Sequence, residues 1–264
     1  RMRVAYDGTQ YNGWQRVHNN HKLSVGGMVD RALSLTVKHD SYVQGASRTD
    51  AGVHARGQAA HFDIPLEVAA SRPSTWPRSW QRTMNALLPD DIRVSSLGDA
   101  PAGFNAILSA SGKTYVYRLH VGPDAADPLQ RFHRSLVRGK SLRGAVDIGR
   151  MQQAAQHFRG QHDFGFFATY EKNAPTKNNT VRTIRSIAVV DEGRGQCRVE
   201  ILLDGALFRM VRNIVGCLVW AGAGRISTDD IDSFLRQPPD RTENSVPYDT
   251  MPADGLCLER VHYE

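Results

Sequence analysis

Gly45-Ala-Ser-Arg-Thr-Asp50-Ala-Gly-Val-His-Ala55 is the stretch on which the reading turns. It lies between two segments that read as strands, around Tyr42–Ala46 and from Gly57 to Ile64. Thr49-Asp50 followed by Gly52 is turn chemistry: the Asp side chain can bond nearby backbone, and Gly52 can take a positive φ. Most such aspartates only shape a turn. Arg48 sets a cation two residues from the carboxylate, and a carboxylate kept ionised by a cation can serve as nucleophile or base. On these residues alone Asp50 is either a turn former or a catalytic group.

Outward from this turn, the flanks mix strands with helices. Before it, RMRVAYDG reads as a short strand closing in an Asp-Gly turn. Val25, Met28, Val29, Ala32, Leu33 and Val37 then recur at helical spacing, with Ser24 as N-cap. After it, Thr75-Trp76-Pro77 opens a helix with Trp80, Met84, Leu87 and Leu88 on one face and Pro89 as its stop. Thr114–Val121 alternates, placing Tyr115, Tyr117, Leu119 and Val121 on one side. Further on, Met151, Ala154, Ala155 and Phe158 suggest a helix, and Thr183–Val190 with Cys197–Leu203 a hairpin around Glu192-Gly-Arg-Gly195. Leu207–Trp220 is an apolar helix whose polar exceptions are Arg209, Arg212 and Asn213, and Leu256–Tyr263 closes as a strand. The fold class expected is α+β, with two related halves.

The 264 residues carry 33 Lys plus Arg against 27 Asp plus Glu, for a formal charge of +6. The distribution is uneven: +12 on residues 1–226 and −6 from Ser227 onward. Of the basic residues 27 are Arg, which fits a polyanion partner and equally a GC-rich coding sequence. The run Arg131–Arg150 holds six bases, Arg131, Arg134 and Arg138 among them, against Asp147; it is a solvated face or, with a nucleic-acid substrate, a phosphate track. No apolar run approaches the roughly 20 residues that span a bilayer, so no membrane partner is expected. Three well-separated cysteines without a CxxC pair argue against a disulfide scaffold or zinc ribbon and for a reducing compartment. His18 and His21 lack nearby third and fourth ligands, so no metal site is expected. Gly193-Arg-Gly195 lacks the lysine of a phosphate loop and reads as a turn. The sequence opens at Arg1 rather than Met, which leaves room for residues ahead of it, and no signal peptide is read in the stretch given.

Ser47-Arg48-Thr49-Asp50-Ala51-Gly52-Val53-His54-Ala55 resembles the signature of the TruA family of tRNA pseudouridine synthases. Six further stretches resemble that family in the same order. They are Tyr6-Asp-Gly-Thr9 with Tyr11-Asn-Gly-Trp14-Gln15; Gly57-Gln58 with His61-Phe62; Lys113-Thr-Tyr-Val-Tyr117; Asp163-Phe164; Phe208-Arg-Met-Val-Arg212-Asn-Ile-Val-Gly216; and Pro252-Ala-Asp-Gly255-Leu256-Cys-Leu258, running to Val261-His-Tyr263. Together they cover nearly the whole chain.

The resemblance implies that a uridine of tRNA is detached at its glycosidic bond, rotated and rejoined through carbon 5, with no cofactor and no metal. Asp50 would be the nucleophile or base. Tyr115 would stack on the uracil, Arg212 would pair with Asp50, and Leu256 would form an apolar floor under the base. Arg48 would enter the RNA stack or hold a phosphate while the base is extruded, a step that costs a few kcal/mol. For Tyr115 and Leu256 ordinary core packing is equally compatible, and for Arg212 a solvated helix face. The apolar flanks of Arg212 favour a buried partner.

Ala51 resembles the bacterial-type members and favours the anticodon stem-loop, tRNA positions 38–40, over other tRNA or RNA positions. A tRNA-binding module without chemistry is the reading from another class, and the presence of Asp50, Tyr115 and Arg212 argues against it. The fold implied is two similar mixed α/β halves, 1–105 and 106–264, whose antiparallel sheets join across a central active-site cleft. The partners implied are tRNA and a second copy in a homodimer. The compartment is intracellular: the cytoplasm first, with nucleus or organelle as alternatives.

Three positions depart from the pattern. Ser47 stands where many members have Gly, which asks for a backbone without positive φ. Ile107 stands where an Arg often follows Phe-x-Ala, and Gly26 where a Gln is common.

Overall fold

The computed structural model describes residues 1–16, 23–123, 126–137, 142, 146–169, 179–236 and 246–263. Arg138, His18 and His21 lie outside them. The chain forms two compact units, residues 1–111 with 257–264, and residues 112–256.

In the first unit β1 (Met2–Tyr6) buries Met2, Val4 and Tyr6 by strict alternation. Helix α1 (Val25–Val37) starts where Ser24 accepts a hydrogen bond from the Gly27 N–H at 3.2 Å, and it buries Val25, Val29, Ala32, Leu33 and Val37. The strand expected over Tyr42–Ala46 shrinks to β2 (Gln44–Gly45), because Tyr42 points to solvent and only these two residues pair. β3 (His54–His61) begins upstream of its expected start: the Asp50 turn closes through the Val53 N–H to the Asp50 carbonyl at 3.1 Å, and pairing begins at the next residue. A short helix, α2 (Leu66–Ala70), precedes α3 (Arg78–Leu87), which buries Trp80 and Met84 and leaves Leu87 exposed. β4 (Ile92–Leu97) runs antiparallel to β1, as β3 does on the other side. Asn85 and Gln81 both donate to the Val94 carbonyl at 3.0 Å, tying α3 to β4.

In the second unit β5 (Gly112–His120) pairs antiparallel with Gln196–Leu203 and parallel with β6 (Ser135–Leu136). Tyr115, Tyr117 and Leu119 are buried as expected, and so are Val116 and His120, so both faces of the strand are covered. Helix α4 (Ile148–Gln156) is capped by Asp147 and followed by β7 (Gly160–Asp163). β8 (Val181–Gly193) and β9 (Gln196–Leu203) form the expected hairpin, with positive φ at Gly193, Arg194 and Gly195. The sheet order is β5-β9-β8-β7. Helix α5 (Met210–Gly222) begins after Arg209, whose φ of 57° breaks the helix expected from Leu207. Helix α6 (Thr228–Arg236) places Asp229 and Asp230 in its first turn, where they meet the positive end of the helix dipole.

The last strand, β10 (Leu256–His262), returns to the first unit from Cys257 onward and pairs parallel with β3, giving the order β4-β1-β3-β10. The pairing is therefore mixed rather than wholly antiparallel. No hairpin constrains a strand that arrives from 145 residues away, so its direction is open. No helix among the described residues is long and apolar enough to cross a membrane.

Candidate active site

Asp50 sits on a turn whose backbone is held from two sides. From one side comes the segment after β1. Trp14 donates its N–H to the Thr49 carbonyl at 3.1 Å, and Gly52 donates to the Tyr11 carbonyl at 3.3 Å. The Tyr6 and Thr49 hydroxyls meet at 2.7 Å in the interior. Gly13, at φ 79°, passes so close that a Cβ there would lie 2.2 Å from the Thr49 carbonyl oxygen. Only glycine tolerates both the φ and the approach. From the other side comes β3: Gln58, fully buried, donates to the Ser47 carbonyl at 2.6 Å and accepts from its N–H at 3.3 Å.

The peptide frame of residues 47–53 is thus fixed by backbone and buried amide contacts, while Asp50 is half-buried and Arg48 exposed. Positive φ among the described non-glycine residues occurs at Lys38, Arg194 and Arg209, so Ser47 does avoid it, as its side chain requires. Gly26 explains its own departure: a Cβ there would lie 2.6 Å from the Trp14 carbonyl oxygen, to which Gly26 donates its N–H. The opening motif was recognisable as a pattern, but its role as the cradle of the Asp turn depends on contacts some forty residues apart.

The other candidate residues, Arg212, Tyr115 and Leu256, lie in the second unit. Arg212 is half-buried on α5, its Nε donating to the Met251 carbonyl at 2.7 Å, which excludes a merely solvated side chain. Next to it, fully buried Asn213 donates to the Phe167 carbonyl at 2.7 Å and accepts from the Thr250 hydroxyl at 2.6 Å. Asn213 had no role on sequence grounds beyond being polar in an apolar helix. Tyr115 is 5% exposed on β5, opposite Ile201. Tyr117 is the packing aromatic: its hydroxyl donates to the Pro252 carbonyl at 2.7 Å, and burial pushes its phenol well above the ordinary range. Leu256 is buried, its N–H bonded to the Ala253 carbonyl.

The basic run divides. Arg131 is exposed, its guanidinium 4.2 Å from the Phe132 ring centroid. With His120, Gln130, Ser135 and Asp254 it lines a cavity of about 410 Å³. Arg134 is an internal anchor: it donates to Glu192 at 2.7 Å and to the carbonyls of Leu119 at 2.9 Å and Cys197 at 3.2 Å. Burial works against the Glu192 carboxylate, yet Arg198 and Arg134 hold it below the usual range. Arg134→Ala is expected to lower stability by about 2 kcal/mol, read as the shift in urea midpoint at constant slope.

Comparison with known proteins meets this geometry. The family model described as tRNA pseudouridine synthase matches residues 154–264. The chain is 35% identical to tRNA pseudouridine synthase A of Geobacter sulfurreducens over 98% of its own length and 97% of that protein. It is 33% identical to the protein of that name from Ruminiclostridium cellulolyticum, over 100% and 98%. With tRNA pseudouridine synthase A of Maridesulfovibrio salexigens it shares 36% identity, over 98% and 88%. Full-length identity at this level shows that the chain belongs to the tRNA pseudouridine synthase A family, the TruA family its motifs resemble.

Proposed function

We propose that this chain converts uridine to pseudouridine in the anticodon stem-loop of tRNA, at positions 38–40, with Asp50 as the group that starts the rearrangement. The coarser part follows from membership: the chain is a tRNA pseudouridine synthase, an isomerase. The observation that carries the role of Asp50 is the frame around it, set by Gly13, Trp14 and Gln58, with Asp50 itself half-buried. A reacting carboxylate must be held while remaining reachable by substrate.

Tyr115 and Leu256 are proposed to contact the uracil, Arg212 to serve the reacting carboxylate as its cation, and Arg48 to take the place of the extruded base. Arg131 is the RNA contact proposed for the basic run, together with Arg138; Arg134 supports that run from inside. Ala51 carries the choice of the anticodon arm. A homodimer and the cytoplasm complete the proposal, the first checked by mass in solution.

The test is pseudouridine mapping. Purified protein and an unmodified tRNA transcript are expected to give product at positions 38–40, mapped by carbodiimide chemistry and primer extension. Product only elsewhere overturns the position. No product on a folded transcript, across salt and Mg²⁺, overturns the activity.

A further inference from the structure

The first unit carries a basic groove of about 500 Å³ that none of these roles uses, lined by Arg1, Arg3, Arg56, Arg260, Ser96 and Glu259. Its origin is the strand pattern. Met2 and Val4 turn into the core, so Arg3 turns out, and Ser96 of β4 lies directly beside it in the ladder. On the other side β10 brings Arg260 to the surface. Between these walls the floor is Gly57 and Ala59 of β3. A Cβ on Gly57 would lie 2.3 Å from the Glu259 carbonyl oxygen, so glycine is what lets the strands close here.

The charge is one-sided. Glu259 stands 3.8 Å from Arg56, and no carboxylate among the described residues pairs with Arg3 or Arg260. Clustered guanidiniums on one sheet face repel each other unless a polyanion lies across them. The guanidinium fork matches phosphate oxygens in two-point geometry, and the Ser96 hydroxyl adds a donor. The lining is mainly charged and polar, with Met2, Val261 and Tyr263 as its apolar members; phosphate-backbone contacts have that character, whereas an interface between proteins would centre on large apolar side chains.

We propose that this groove seats the sugar–phosphate backbone of tRNA as a contact separate from the target nucleotide. This rests on the tRNA-modifying reading and adds a second surface to it. Arg3, Arg56 and Arg260 are the phosphate contacts.

The test compares Arg3→Ala/Arg260→Ala with Arg78→Ala/Arg82→Ala, which removes the same charge from exposed positions of α3. Affinity for a tRNA transcript is measured from low to moderate salt. Loss of two phosphate contacts is expected to flatten the slope of log affinity against log salt by about 1.4–1.8. The affinity is expected to fall at least about tenfold at low salt, with KM rising in parallel, while the α3 variant matches wild type. Arg3→Lys/Arg260→Lys is expected to restore most of the slope, which shows that charge rather than folding is read. An unchanged slope in the alanine variant, or an equal loss in the α3 variant, overturns the groove. A change in mass in solution with unchanged tRNA affinity also overturns it and makes the face an interface between copies. Wild-type pseudouridine formation is scored separately, so failure of the groove and failure of the activity are distinct results.

Discussion

Asp50→Ala is expected to leave less than about 10⁻³ of wild-type pseudouridine formation, a loss of roughly 4 kcal/mol or more in transition-state stabilisation. tRNA affinity and melting temperature are expected to stay close to wild type. The fold should tolerate the change because the turn is held by others: Trp14 and Gln58 bind its backbone, and the Tyr6 and Thr49 hydroxyls close its interior. Asp50→Asn, which keeps the shape, should be as inactive as Asp50→Ala, since an amide is neither a nucleophile nor a base here. Single-turnover assays with excess enzyme separate chemistry from binding. Activity of either variant within tenfold of wild type would remove Asp50 from the reaction and leave the family assignment untouched.

What could be read from sequence follows the range of the forces involved. α1 was legible because five buried apolar residues and a Ser cap act within one helix. The β8–β9 hairpin was legible because Gly193 and Gly195 supply the φ values its turn needs. β4 was not, because its alternation breaks at Ser95-Ser96, where the ladder to β1 also shifts register. α6 was not read either: the segment from Ser227 onward stood out only by its net negative charge. In the fold Asp229 and Asp230 open the helix, and Asp232 bonds His157 at 2.7 Å. Much of the acidic C-terminal charge is therefore intramolecular: Asp254 takes the Ser135 hydroxyl at 2.7 Å, and Glu259 faces Arg56.

The site divides the same way. The Thr-Asp-Ala-Gly turn marked Asp50 locally, but the cradle needs Gly13 brought against Thr49 from 36 residues away, which no spacing rule reveals. Charge runs mislead for a related reason. Arg134 lies in the most basic stretch yet spends its donors on Glu192 and two carbonyls, while Arg3, Arg56 and Arg260 are scattered in sequence and gathered only by strand pairing.

Asn213→Ala is expected to be the most damaging change away from Asp50. Asn213 is fully buried and joins three segments: α5 itself, the Phe167 carbonyl, and the Thr250 hydroxyl. Alanine leaves the buried Phe167 carbonyl without this partner, at about 1–3 kcal/mol, the half-buried Thr250 hydroxyl without its acceptor at a smaller cost, and a cavity in place of the amide. The expected loss is about 3–4 kcal/mol, or roughly 10 °C in Tm by calorimetry. The consequence reaches the site by one residue: Thr250 precedes Met251, whose carbonyl receives the Arg212 Nε and whose N–H bonds the Arg212 carbonyl at 3.3 Å. Loosening Thr250 therefore loosens the rest on which the Arg212 guanidinium is aimed. At a temperature where the variant is fully folded, kcat is expected to fall about tenfold with KM little changed, a split that destabilisation alone does not produce. Asn213→Ser, which keeps a donor and an acceptor on a shorter arm, should recover part of the Tm. A variant that melts early yet turns over at the wild-type rate when folded would confine Asn213 to the core and free Arg212 from dependence on the Thr250–Met251 strap.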